Sequence, residues 1–133
     1  MSYEIENDLK TLLLELTPYQ KTFYNEWLLH PERSDYNMVL DQVLTGELDI
    51  TRLNNAVKRT INEHLLISSN IIKDQEKVFW KRRNKLDDDA DVISYYEGNL
   101  SDEEILKMVQ QPFNLENDLL IRAFLIKRLR KVF

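Results

Sequence analysis

The side chains that could carry chemistry in this sequence are few: two histidines, His30 and His64, no cysteine, and a cluster of aspartates at Asp87, Asp88, Asp89 and Asp91. Without cysteine there are no disulfides, thiolate zinc sites or sulfur nucleophiles. His64 falls last in an apolar helical stripe, and no serine–histidine–acid order or metal-ligand spacing involves it. It is expected to be packed and hydrogen-bonded rather than catalytic. His30 precedes Pro31, where a helix must end. The aspartate cluster lacks the spaced ligands, mid-loop glycine and terminal glutamate of an EF-hand loop, so a solvated acidic loop is expected there and no metal site. Two glycines leave no loop that could cradle a phosphate. Lys127, Arg128, Arg130 and Lys131 form a basic run, but the net charge is −5 and the flanks are strand-like, so a solvated strand end is expected and no nucleic-acid partner.

The elements that must position these residues follow from spacing. At 133 residues the chain is long enough for one domain with a core. Its hydrophobic share of 43% and charged share of 31% suit a water-facing globular fold. No apolar run reaches membrane-spanning length and no secretory signal opens the chain, so a cytoplasmic location with no membrane contact is the default expectation.

Residues 1–16 place Ile5, Leu9, Leu12, Leu13 and Leu16 on one helical face, which predicts an amphipathic helix and a candidate docking element. Residues 17–133 form the rest of the domain. Thr17 caps a second helix, with Pro18 at its first position and Gln20 completing a capping box. Tyr19, Phe23 and Trp27 recur every four residues along it, with core packing expected for Phe23 and Trp27.

Tyr36 to Thr45 alternates as a strand, Gly46 turns, and Asp49 caps a helix whose stripe runs Leu53, Ala56, Val57, Thr60, Ile61, His64. Three short strands are expected at Leu65–Ile72, Val78–Lys81 and Val92–Tyr96. Ser101 and Glu104 open a helix, with Ile105, Met108 and Val109 on its buried face and Pro112 ending it. A last strand is expected at Leu119–Leu129. The fold class is an α/β (α+β) sandwich, with helices packed on a mixed sheet.

Three of these stretches, and a turn between the first two, carry a resemblance. LTPYQKTFYNEWLLHPERSDYN is similar to the first core motif of nonribosomal peptide synthetase condensation domains, roughly Ser/Thr-x-Ala-Gln-x-Arg-x-Trp. Thr17 and Gln20 match it, Tyr24 stands at the aromatic position, and Tyr19 and Thr22 depart from it. GELD at 46–49 resembles the family's Gly-x-Leu-Asp turn. EHLLISSNI resembles the second motif, Arg-His-Glu-x-Leu-Arg-Thr-x-Phe, with His64, Ile67, Ser69 and Ile71 matching in type while Glu63, Leu65 and Ser68 do not. PFNLENDLLIRAFLIKRL is similar to the family's Pro-Phe-x-Leu-x-x-x-Pro-Leu-x-Arg-Ala-x-Leu-x-x-Leu segment, matching at Pro112, Phe113, Leu115, Leu120, Arg122, Ala123, Leu125 and Leu129 and departing at Leu119, which stands in place of proline.

The resemblance implies one half, the N-terminal lobe, of a chloramphenicol-acetyltransferase-like fold. It implies amide formation between aminoacyl or peptidyl thioesters, each held on the phosphopantetheine arm of a carrier protein, with no cofactor bound directly. The family's His-His-x-x-x-Asp-Gly motif is absent from these residues and is expected after Phe133, so no catalytic residue is assigned and the 133 residues alone are expected to be inactive. Tyr19 and Gln20 are the implied substrate-side candidates, while Thr17, Tyr24, His64, Pro112, Phe113, Leu115, Arg122 and Ala123 are the motif's structural residues.

Expected partners are carrier proteins, an upstream synthetase subunit in trans and the second half of the domain. A weak self-association through the strand ending at Phe133 is also expected. The same fold run for epimerisation, ester formation or acyl transfer, or as a non-catalytic docking domain, is the alternative.

Overall fold

Thr17 and Gln20 set the first helix as their types require. The Thr17 hydroxyl accepts from the Gln20 amide at 3.2 Å, and the Gln20 side-chain oxygen accepts from the Thr17 amide at 2.9 Å. In the computed structural model, which describes residues 12–128, the elements follow as β1 (Leu13–Glu15), α1 (Pro18–Leu29), α2 (Ile50–Glu63), β2 (Ser69–Asp74), β3 (Lys77–Arg82), β4 (Ile93–Glu97), α3 (Asp102–Val109) and β5 (Ala123–Lys127). Asp49 caps α2 through its carboxylate, and Ser101 with Glu104 forms a second capping box on α3.

The class is α+β, as expected, but the strands divide into two sheets. β1, β3 and β2 form an antiparallel sheet in that order, and β4 pairs with β5 in parallel. β2 and β3 are joined by a tight turn in which Gln75 takes a φ of 54°, the left-handed region a side chain enters at a cost.

Leu16, Tyr24 and Ile71 form the buried cluster, with Trp27, Val78, Trp80 and Leu115 packed against it. α1 therefore meets the antiparallel sheet through Gln20, Tyr24 and Trp27, at i, i+4 and i+7. The expected Tyr19–Phe23–Trp27 face holds only at Trp27: Tyr19 and Phe23 are exposed. The helix is rotated because Tyr24 and the Trp80–Gln20 contact, rather than the larger number of aromatics, hold it to the sheet.

Four further expectations are corrected. Leu13–Glu15 is a strand, not the end of a helix: its register on β3 (Leu13 opposite Lys81, Glu15 opposite Phe79) satisfies the backbone, and Leu16 follows into the core. Residues 1–11, on which the rest of the expected docking helix falls, lie outside the described residues, as do residues 129–133.

Tyr36–Thr45 forms no strand, and Met38, Leu40 and Val43 are almost fully exposed. Alternation supplies half of a ladder, and among the described residues no strand lies beside this segment to supply the other half. Asn37 is fixed, its side-chain nitrogen donating to the carbonyls of Val109 at 3.2 Å and Gln111 at 2.9 Å. The strand expected to begin at Leu65 begins at Ser69, because residues 65–68 turn off the end of α2.

The fourth correction concerns α2. Ile61 is buried, but beside it lie buried Asn54 and Lys58, while Ala56, Thr60 and His64 face solvent. Asn54, Lys58 and Asn62 are spaced i, i+4, i+8 and grip the backbone of the segment before β4. The Asn54 side-chain oxygen accepts from the amides of Val92 (2.8 Å) and Ile93 (3.1 Å), and its nitrogen donates to the Ala90 carbonyl (3.1 Å). Lys58 donates to the Asp88 carbonyl, and Asn62 accepts from the Leu86 amide. The aspartate side chains of this loop are exposed, as expected, but its backbone is held.

Asn54→Ala removes the partner of two half-buried amides, Val92 and Ile93, and of the Ala90 carbonyl. Each unmet buried group costs about 1–3 kcal/mol, so a loss of roughly 2–4 kcal/mol in urea denaturation is expected. Arg59→Ala, which removes only an exposed ion pair with Glu63, is expected to leave the urea midpoint essentially unchanged.

Candidate functional site

The three motif-bearing stretches lie far apart in sequence and meet at one place. From the first, Tyr24 is buried, stacks on Trp27 at 5.8 Å between ring centroids, and donates its hydroxyl to Glu116 at 3.4 Å. From the second, Ser69 and Ile71 are buried at the start of β2. From the third, Leu115 packs on the same cluster, and its carbonyl accepts from the Ile71 amide at 3.0 Å and the Asn70 side chain at 3.2 Å. Residues 114–118 thus cover the edge of β2 that β3 leaves open, and Asn70 reinforces this by donating to the Asp118 carbonyl at 2.6 Å.

Gln20 joins helix to sheet. Its side-chain oxygen accepts from the Thr17 amide and also from the Trp80 indole N–H at 3.1 Å, so one carbonyl fixes both the start of α1 and the middle of β3. Tyr19, one residue earlier, is 78% exposed; its ring stands 6.2 Å from Phe23, which in turn meets Tyr36 edge-on at 4.8 Å. The Arg33 guanidinium lies over the Tyr36 ring at 5.6 Å and donates to Asp35 and Glu26. Arg33 holds the Asp35 carboxyl below its usual range. These pairs are solvent-exposed and orient the aromatic corner more than they stabilise it.

Arg122 organises the third motif. Its guanidinium stacks on Phe113 at 3.8 Å and donates to the carbonyls of Gln111 at 2.6 Å and Pro112 at 2.8 Å. The planar fork satisfies two carbonyls of the turn after α3 while its face stays on the Phe113 ring, a combination that a lysine's ammonium does not offer. Ala123, next in sequence, opens β5 opposite Ile93.

His64 stands apart from this assembly. It caps the C-terminus of α2 with its side chain exposed, so the expected packed histidine is not found; its carbonyl accepts from the Ser68 amide and hydroxyl instead. His30, also exposed, lies 3.7 Å from Glu32. Among the described residues neither imidazole accepts from a hydroxyl, and no three metal-ligating side chains converge. What the assembly can do is position: it holds an exposed aromatic corner and a tied loop on a rigid support.

The Asn54–Lys58–Asn62 grip and the covering of β2 by residues 114–118 were not foreseen from sequence. Polar residues at helical spacing were the available signal for the first. The second is a contact between residues more than forty positions apart and has no local signal.

The condensation domain family matches residues 12–132, and the chain belongs to that family. Its members are acyltransferase-like enzymes of nonribosomal peptide synthesis that work with carrier proteins. No curated protein matches the chain. Among the described residues no helix is long and apolar enough to cross a membrane.

Burial first, and then the neighbouring Glu116 carboxylate, raises the Tyr24 phenol above its usual value near 10. The folded state therefore holds that proton more tightly than the unfolded chain. The stabilisation is complete below the unfolded pKa and is lost as pH climbs through the raised one. Urea midpoints measured from pH 8 to pH 11 are expected to fall more steeply above about pH 10 in the wild type than in Tyr24→Phe. Parallel profiles would remove Tyr24 from this role.

Proposed function

We propose that residues 17–133 form the N-terminal lobe of a condensation domain that joins two carrier-bound thioesters through an amide bond. The observation that carries this reading is the family match across residues 12–132. The convergence of its motif segments on one core supports it. The amine on the acceptor's phosphopantetheine thioester attacks the donor's thioester carbonyl; the carbon–nitrogen bond forms, the carbon–sulfur bond breaks, and the donor thiol is released as the amine gives up a proton.

The family's His-His-x-x-x-Asp-Gly sequence does not occur in these residues, and we assign it to polypeptide beyond them, where its second histidine positions the amine or accepts its proton. The lobe described here supplies one wall and the alignment of the reactants, which is worth about 7–11 kcal/mol when both are well placed. Tyr19 is the substrate-side residue, with its ring exposed at the N-terminal end of α1. Gln20 serves beside it through its side-chain nitrogen, since its oxygen is taken by Thr17 and Trp80.

A protein extended through the histidine motif is expected to form the amide from two loaded carriers, while residues 1–133 alone form none. In the extended protein Tyr19→Ala is expected to lower kcat/KM roughly three- to tenfold without shifting the unfolding midpoint, because the side chain is exposed. Turnover by residues 1–133 alone, abolished by His64→Ala, would contradict the assignment. An inverted stereocentre in place of a new amide would move the reaction to epimerisation.

A further inference from the structure

Tyr36–Thr45 alternates like a strand yet pairs with no strand among the described residues. Its apolar side chains stand in water: Met38 is 98% exposed, Val43 87% and Leu40 84%. A single exposed leucine is ordinary, but several in one short run mark a contact surface. The run is also tied near both ends. Asn37 donates to the carbonyls of Val109 and Gln111, and Asp49 caps α2. Residues held in this way lose less freedom on pairing than a free tail would.

One sheet edge suits this run. The outer edge of β2 is covered by residues 114–118. β1 offers three residues ending on Glu15, and β4 ends on Glu97 with its first amide, Ile93, bound by Asn54. β5 pairs on one side only, with β4. Charge then selects the match. Residues 36–48 carry Asp41 and Glu47 and no Lys or Arg, whereas residues 122–128 carry Arg122, Lys127 and Arg128 and no Asp or Glu. Among the described residues Asp41, Glu47, Lys127 and Arg128 form no ion pair. Pairing the run with itself sets Asp41 near Asp41, and pairing β5 with itself crowds Lys127 and Arg128. Only the run against β5 joins opposite signs.

Asn37 and Arg122 donate to the same carbonyl, that of Gln111, at 2.9 and 2.6 Å, so the run and β5 start from one side of the molecule. Within one chain they stay unpaired. A two-fold axis beside them brings the run of each copy to β5 of the other, and the two contacts close a dimer. We propose that this face is an interface between two copies of the chain, in which Tyr36–Thr45 of each adds as a strand to the outer edge of β5 of the other. Asp41 lies opposite Lys127. In either strand direction that register sets a valine, Val39 or Val43, opposite Leu125.

Sedimentation of the 133-residue chain at low salt, over a concentration series into the millimolar range, is expected to show a monomer–dimer equilibrium. Asp41→Lys is expected to weaken the dimer about tenfold, since each dimer holds two such pairs and like charges directly opposite repel. Lys127→Asp is expected to do the same, and the double variant to recover most of the loss. Both side chains are exposed, so the fold is expected to survive each change. Glu76→Lys, the same charge change at the exposed β2–β3 turn, is expected to leave association unchanged. Amide exchange at residues 38–45 and along β5 is expected to slow as the dimer forms. A single monomer mass at every concentration would overturn the proposal and leave the run to a different strand. Growth beyond the dimer, no rescue in the double variant, or slowed exchange confined to other segments would also overturn it. No turnover is measured, so these results stand apart from amide formation in the extended protein.

Discussion

The packing of Tyr24 between Leu16 and Ile71 is the constraint on which the other arrangements depend. Leu16 enters the core only because β1 pairs with β3, its amide donating to the Val78 carbonyl at 3.2 Å. Ile71 enters only because β2 pairs with the other side of β3. Tyr24 closes the cluster from α1, and its hydroxyl reaches the loop that covers β2. A small cluster of this kind gains little from area alone. Each large side chain contributes about 1.5–3 kcal/mol when fully buried, so the hydrogen bonds that fix its geometry decide whether one arrangement is favoured over looser ones.

Those bonds are mostly from side chains to backbone or to a single shared acceptor. Gln20 ties helix to sheet, Asn70 ties β2 to residues 115 and 118, and Arg122 ties the turn after α3. Asn54 does the same between α2 and the start of β4. Each replaces a water contact that an irregular loop would otherwise need, and each holds a segment that has no ladder of its own. The result is a cross-tied support with exposed aromatic and cationic groups at its margins.

What could be read from the sequence was what depends on neighbours in the chain. The capping boxes at Thr17–Gln20 and Ser101–Glu104, and the Asp49 cap, use side chains and amides three residues apart, so residue type nearly determines them. The existence of β2, β3, β4 and β5 was also apparent from apolar, β-branched runs, though not their pairing. The failures share a cause. Tyr36–Thr45 has the alternation of a strand but not the partner, and Leu13–Glu15 has the spacing of a helix but a partner in β3. Pairing between distant segments overrides both local patterns. On α2 the apolar count favoured a face through Ala56 and His64, whereas Asn54, Lys58 and Asn62 found specific acceptors and donors and turned inward. In the candidate site, the motif residues were identifiable, but the sharing of Gln20 between Thr17 and Trp80 was not, because it joins residues sixty positions apart.

Native-state hydrogen exchange tests most directly whether the three motif segments form one cooperative unit. The Leu16 amide bonds to β3 and the Ile71 amide to Leu115, so they report on the sheet and on the covering loop separately. If the unit is cooperative, both amides exchange only through global unfolding, with the same free energy and the same dependence on denaturant. An Ile71 amide that exchanges through a local opening, at a lower free energy than Leu16 and with no denaturant dependence, would show that the loop is an independent cover and that the core does not bind the motifs together.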